Sequence, residues 1–166
     1  TQLAGLALYG DLTNALPTML PIEIRHRLES AKIIPDAGHN PHHLLGAMTR
    51  AGINAAEVAA DRRRAFALAS TTAEDTPHDG APTSWSSELD QLSSGVSGQK
   101  KIPRLLVVSA GNTDQNLFGN GDYLATCDLP ANELESPAQA WNAICVGSNT
   151  EKAALAAGTP GHPLAP

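Results

Sequence analysis

The chain has 166 residues, 42% apolar and 17% charged, with a formal net charge of -6. That length supports one domain with a real core, and that apolar share excludes an intrinsically disordered chain. No apolar run approaches the roughly 20 residues that cross a bilayer, and no basic start followed by an apolar block marks a signal peptide, so no membrane partner is expected. The acidic balance also argues against nucleic acid, because phosphate binding needs a basic surface. The one basic cluster, Arg62, Arg63 and Arg64, is expected at a helix end, where cations suit the macrodipole. Two cysteines, Cys127 and Cys145, are too few for a disulfide framework; both read as thiols, Cys145 as a buried one, which tilts the compartment toward the cytoplasm. The start on Thr1 and the loop-like tail "GTPGHPLAP" suggest a piece of a longer chain.

"TQLAGLALYG" sets Leu3, Leu6 and Leu8 among small residues, which predicts a helix packed closely against a neighbour and ended near Gly10. "RLESAKIIP", Arg27 to Pro35, alternates and then turns apolar, predicting a strand over 28–34 closed by Pro35. Asn40 offers a cap, with Pro41 in the first turn, for a helix in which Leu44, Leu45, Met48, Ile53 and Val58 share one face as far as about Ala60. "RAFALAS", Arg64 to Ser70, is the next strand, and a loop rich in Thr, Asp, Pro and Gly runs from Thr71 to Pro82. "TSWSSELDQLSSG" carries a Thr83 or Ser84 cap, Trp85, Leu89 and Leu92 at helical spacing, and Gly95 as terminator. Beyond the link "GVSGQKK" follow a strand over Leu105 to Ser109, a long loop, a short helix near "SPAQAW" and a last strand from Asn142 to Ser148.

Strands alternating with helices, the strands short and continuously apolar, predict an α/β fold: a doubly wound, mostly parallel sheet flanked by helices. Right-handed crossovers bring the strand ends to one edge, and ligands of open sheets bind beyond those carboxyl ends. The rule selects Ser70, Thr71 and Thr72 together with Ser109, Ala110, Gly111 and Asn112. Two readings fit these residues. Small side chains at two strand ends leave backbone donors and acceptors that an extended peptide can pair with, whereas Ala-Gly-Asn is equally a turn, since Gly and Asn tolerate left-handed backbone. At such an edge the Asn112 amide can donate to an oxyanion without changing its own charge, a contribution of roughly 3 to 4 kcal/mol in acyl transfer.

Other clusters carry less. His39, His42 and His43 include two adjacent residues and have no Cys or acidic partner at a matching interval, so a solvated loop and helix start accounts for them better than zinc. Asp114, Asn116, Asn120 and Asp122 could supply oxygens to calcium at a surface site, but their spacing departs from the familiar calcium loop, and no cofactor is expected. "PDAGHN" lacks the three-glycine spacing of a dinucleotide loop.

Several pieces, in order, resemble the subtilisin-like serine peptidases. "TQLAGLALYG" is similar to the small-residue helix that follows the family's catalytic His-Gly-Thr, with Thr1 as its threonine; "RLESAKIIPDAG" resembles the next strand, "RRAFALAST" the strand lining the substrate cleft, "LLVVSAGN" the strand carrying the oxyanion asparagine, and "SPAQAWNAICVGS" the segment after it. The resemblance covers nearly all of residues 1–166 as one partial catalytic domain. It implies that Asn112 is the oxyanion donor, that Ser109, Ala110 and Gly111 form one wall of the primary specificity pocket, and that Ser70, Thr71 and Thr72 form the opposing edge, where the family often has Ser-Leu-Gly. It also implies a polypeptide substrate. The triad departs from the pattern: the family's Asp and His would precede Thr1, and its Gly-Thr-Ser is absent. A serine nucleophile needs a His base and an orienting Asp, so this chain alone is expected to be inert. Two alternatives stay open, a noncatalytic peptide-binding or interaction domain of the same fold and an unrelated doubly wound small-molecule-binding domain.

Overall fold

Two compact units divide the chain, Thr1–Lys32 and Ile33–Pro166, and the structure, a computed structural model, describes residues 2–13, 15–18, 21–59, 61–73, 81–112, 129 and 132–148. In the first unit the expected helix forms as α1, Gln2–Tyr9, and ends at Gly10, whose N–H reaches Leu6 O at 2.8 Å. Close packing does not accompany it: Leu3 and Leu6 are exposed. The strand expected over 28–34 is absent as well. Leu28 and Ile34 are exposed and no strand pairs with them among the described residues, so the apolar alternation there has no sheet to join.

The second unit starts its helical part with a 3-10 turn at His42–Leu44, which runs into α2, Leu45–Ala59. Asn40 does not cap it; its amide turns back to Ile33 O at 2.6 Å. Of the predicted apolar face, Ile53 is buried, whereas Met48 and Val58 are exposed. Helix α3, Ser84–Ser94, follows its sequence signals closely. Thr83 accepts from Ser86 N at 3.1 Å and Ser86 Oγ accepts from Thr83 N at 3.3 Å, a reciprocal cap that contributes about 1 kcal/mol. Gly95 closes the other end at φ 79°. A Cβ there would stand 2.6 Å from the carbonyl carbon of Ile102, so only glycine fits both the left-handed turn and the returning chain.

Three short strands, β1 (Ala65–Leu68), β2 (Leu105–Ser109) and β3 (Ile144–Val146), make a parallel sheet in the order β1-β2-β3. Period-two alternation turns Leu106 and Val108 toward the helices, where they pack with Ile53, Trp85, Leu89 and Leu92. Full burial of residues such as Leu89 and Leu92 contributes about 1.5–3 kcal/mol each. Among the described residues the helices cover one face; on the other, Leu105, Ile144 and Val146 remain 49%, 53% and 50% exposed. Cys145 on β3 pairs with the buried Val108, yet it is exposed because β3 is an edge strand of the sheet, against the burial its apolar neighbours suggested. The short helix expected at "SPAQAW" is a turn instead, with Ala138 N on Glu135 O at 2.8 Å and Ala140 N on Pro137 O at 3.1 Å.

The start of β2 is fixed by a buried ion pair that nothing in the sequence pattern announced. Arg104 Nε meets Glu57 Oε1 of α2 at 2.6 Å and its Nη2 meets Oε2 at 2.8 Å, while Nη1 donates to the carbonyls of Leu92, Ser97 and Ile102. One guanidinium thus joins α2, the end of α3 and the strand that leads to the candidate site.

Candidate functional site

β1 and β2 pair in parallel with Leu68 opposite Val108, so Ser70–Thr72 and Ser109–Asn112 leave the sheet at the same edge. Of the two, the β2 end is held more fully. Ser109 pairs with Val146, and Ala110 N donates to Val146 O at 3.0 Å. Gly111 follows at φ 108°, a left-handed conformation that a side chain would strain. Asn112 is exposed, and its side-chain amide makes no hydrogen bond among the described residues.

A third segment, Glu135–Ser136, expected near the start of a short helix and not as part of the edge, joins the two ends. Thr72 N donates to Ser136 O at 2.9 Å and Ser136 N to Thr72 O at 3.1 Å, an antiparallel bridge. Next to it Glu135 N donates to Ala110 O at 3.0 Å, and Thr71 Oγ1 donates to Glu135 Oε2. Helix α3 steadies this segment from its capped end: Thr83 Oγ1 lies 2.6 Å from Ser136 Oγ, and Ser86 Oγ donates to Gln139 Oε1 at 3.2 Å. The cap that starts α3 therefore also holds the segment that bridges the two strand ends.

All seven expected residues lie at one edge, but not as an open strip of backbone. Both backbone groups of Thr72 are taken by Ser136, and both of Ala110 by Val146 and Glu135. The expected free pairing groups at those two positions are thus already used, because the diverging strand ends satisfy buried polar groups with the chain's own backbone. A local motif could not have revealed Glu135 and Ser136; the one available signal was their place just before the Pro137 that the resemblance included.

Other candidates are quickly placed. His39 and His42 have ring centroids 6.4 Å apart, and among the described residues no group of three or more His, Cys, Asp or Glu is arranged to hold a metal. Asp114, Asn116, Asn120 and Asp122 lie outside the described residues. A polar concavity of about 440 Å³ lined by Arg50, Asn54, Gln91 and Lys101 sits by the far end of α3, with Lys101 already on Val96 O and Arg50 on Glu88. No helix among the described residues is long and apolar enough to cross a membrane.

A model of the subtilase family matches residues 1–165. The chain belongs to the subtilase family. No curated protein and no solved structure matches it. Subtilases are serine peptidases, hydrolases that act on polypeptides, and the parallel sheet with helices against it is consistent with the α/β arrangement of a subtilisin-like fold. This edge holds the exposed Asn112 amide, the left-handed Gly111 and the Thr72–Ser136 bridge.

Proposed function

We propose that this subtilase chain supplies the oxyanion donor and part of the substrate cleft of a serine endopeptidase whose nucleophile, base and orienting acid come from outside this sequence. The observation that carries the reading is Asn112: an exposed amide without a partner among the described residues, at the carboxyl end of the central strand, directly after the Ser109–Gly111 wall. In the complete enzyme the serine hydroxyl attacks the scissile carbonyl while the histidine takes its proton. Negative charge then gathers on the carbonyl oxygen, where the Asn112 amide donates a hydrogen bond that is stronger in the transition state than in the bound substrate. Collapse of the intermediate returns the proton to the leaving amine and leaves the acyl-enzyme for water. Ser70, Thr71 and Thr72 on one side and Ser109, Ala110 and Gly111 on the other flank the substrate; with Thr72 and Ala110 already paired, the backbones of Ser70, Thr71 and Gly111 are, among the described residues, the groups left to hold an extended peptide.

In the full-length protein Asn112→Ala should lower kcat about 100- to 1000-fold with little change in KM. An unchanged kcat removes the assignment. The alternative reading is a subtilase-fold module that binds peptides without cutting them. Labelling of the full-length protein by a fluorophosphonate separates the two: covalent capture of a serine supports the peptidase, and none supports the module.

A further inference from the structure

Among the described residues Glu135 is the acid placed between the two proposed walls, and three contacts hold it there. Its N–H is on Ala110 O at 3.0 Å, its Oε2 accepts from Thr71 Oγ1, and its side chain lies flat against Gly111. A Cβ at Gly111 would stand 2.6 Å from Glu135 Cγ and 2.8 Å from Cβ and Cδ, so glycine at that position is what lets the carboxylate reach across. The residue is half-buried, and no Lys, Arg or His among the described residues pairs with it.

An ionised carboxylate has about four acceptor sites, and one threonine hydroxyl fills one of them. A partly desolvated anion so lightly satisfied gains more from a cation than from any neutral group. We propose that Glu135 is a specificity-determining residue that selects Lys or Arg as the substrate residue on the acyl side of the scissile bond. The inference rests on the cleft assignment under the proposed function. Thr71 fixes the carboxylate so that little ordering is required on binding, and the ammonium or guanidinium completes the acceptor set.

The test uses the full-length protein and fluorogenic peptides that differ only at that residue, Arg, Lys, Leu, Phe or Glu. Arg and Lys should exceed Leu and Phe in kcat/KM by about tenfold or more, and Glu should be poorest. Glu135→Gln keeps the size and an acceptor for Thr71; it should reduce the ratio of kcat/KM for Arg or Lys to that for Leu about 10- to 100-fold. Benzamidine, an amidinium probe, should inhibit the unaltered enzyme and lose about tenfold or more in Glu135→Gln. If the variant does not fold, the unaltered enzyme still decides, because the Arg preference and benzamidine inhibition should both weaken as salt is raised. Equal rates for Arg and Leu, or an equal fall for every peptide in Glu135→Gln, overturn the inference and leave Glu135 a strut. If peptides are cut in an Asn112-dependent way without preference for a cation, only this inference falls; if no peptide is cut and no serine is labelled, the peptidase reading falls with it.

Discussion

Removing the Glu57 carboxylate tests the ion pair beneath β2 directly. In the native chain the Arg104 and Glu57 side chains are 2% and 5% exposed and share two bonds of 2.6 and 2.8 Å. Glu57→Ala leaves the guanidinium buried, still bonded to the carbonyls of Leu92, Ser97, Ile102 and Lys100 but with no counter-charge. Breaking a buried pair from one side costs about 3–5 kcal/mol, a large share of a domain's usual 5–15 kcal/mol. Arg104→Met should cost more, by about 1 kcal/mol or above, because it strands the carboxylate and also orphans those four carbonyls. Equilibrium urea unfolding followed by tryptophan emission reads both variants, since Trp85 is buried and donates to Thr49 Oγ1, while Trp141 is 84% exposed and reports little. A Glu57→Ala loss below about 1 kcal/mol, or an Arg104→Met variant no worse than Glu57→Ala, would refute the reasoning.

Two further outcomes are expected. Gly111→Ala combines a φ of 108° with a Cβ 2.6 Å from Glu135 Cγ, so it should destabilise by about 2 kcal/mol or more and raise KM in the full-length protein; a melt unchanged from the unaltered chain would contradict the left-handed turn. Partial burial of the Cys145 thiol pushes it above the usual thiol range even though the residue as a whole is exposed. A raised value leaves less thiolate at any given pH, so alkylation by iodoacetamide should run slower than for glutathione at pH 7.5 and climb about tenfold per pH unit up to the ordinary thiol range; a pH-independent rate would count against it.

What the sequence made legible was local. Thr83, Gly95 and the spacing of Trp85, Leu89 and Leu92 define α3 by their own chemistry, and five apolar or small residues in a row define β2. Partnership was not legible. The 28–34 stretch has strand alternation but no partner, and Cys145 has buried-looking neighbours but lies on a strand whose residues are all exposed. The candidate site shows the same division: topology brought its seven residues to one edge, whereas Glu135, an ordinary loop glutamate in the sequence, matters only through contacts with Thr71 and Gly111. Arg104 reads as a polar start to a strand and turns out to be one of the most buried charges, because burial of a charge depends on Glu57 far away in the chain.

The clasp between Thr71–Thr72 and Glu135–Ser136 closes a span of 64 positions, while the α3 cap closes three. Loop closure grows only slowly with length, yet this contact also depends on β1, β2 and the α3 cap, so it is expected to form late. What closes late by a few hydrogen bonds opens early. The candidate cleft should therefore unhook as a local event, exchanging the amide protons of Thr72, Glu135 and Ser136 well before those inside α3, so that the proposed site would rest on the part of this subtilase chain that can breathe without unfolding.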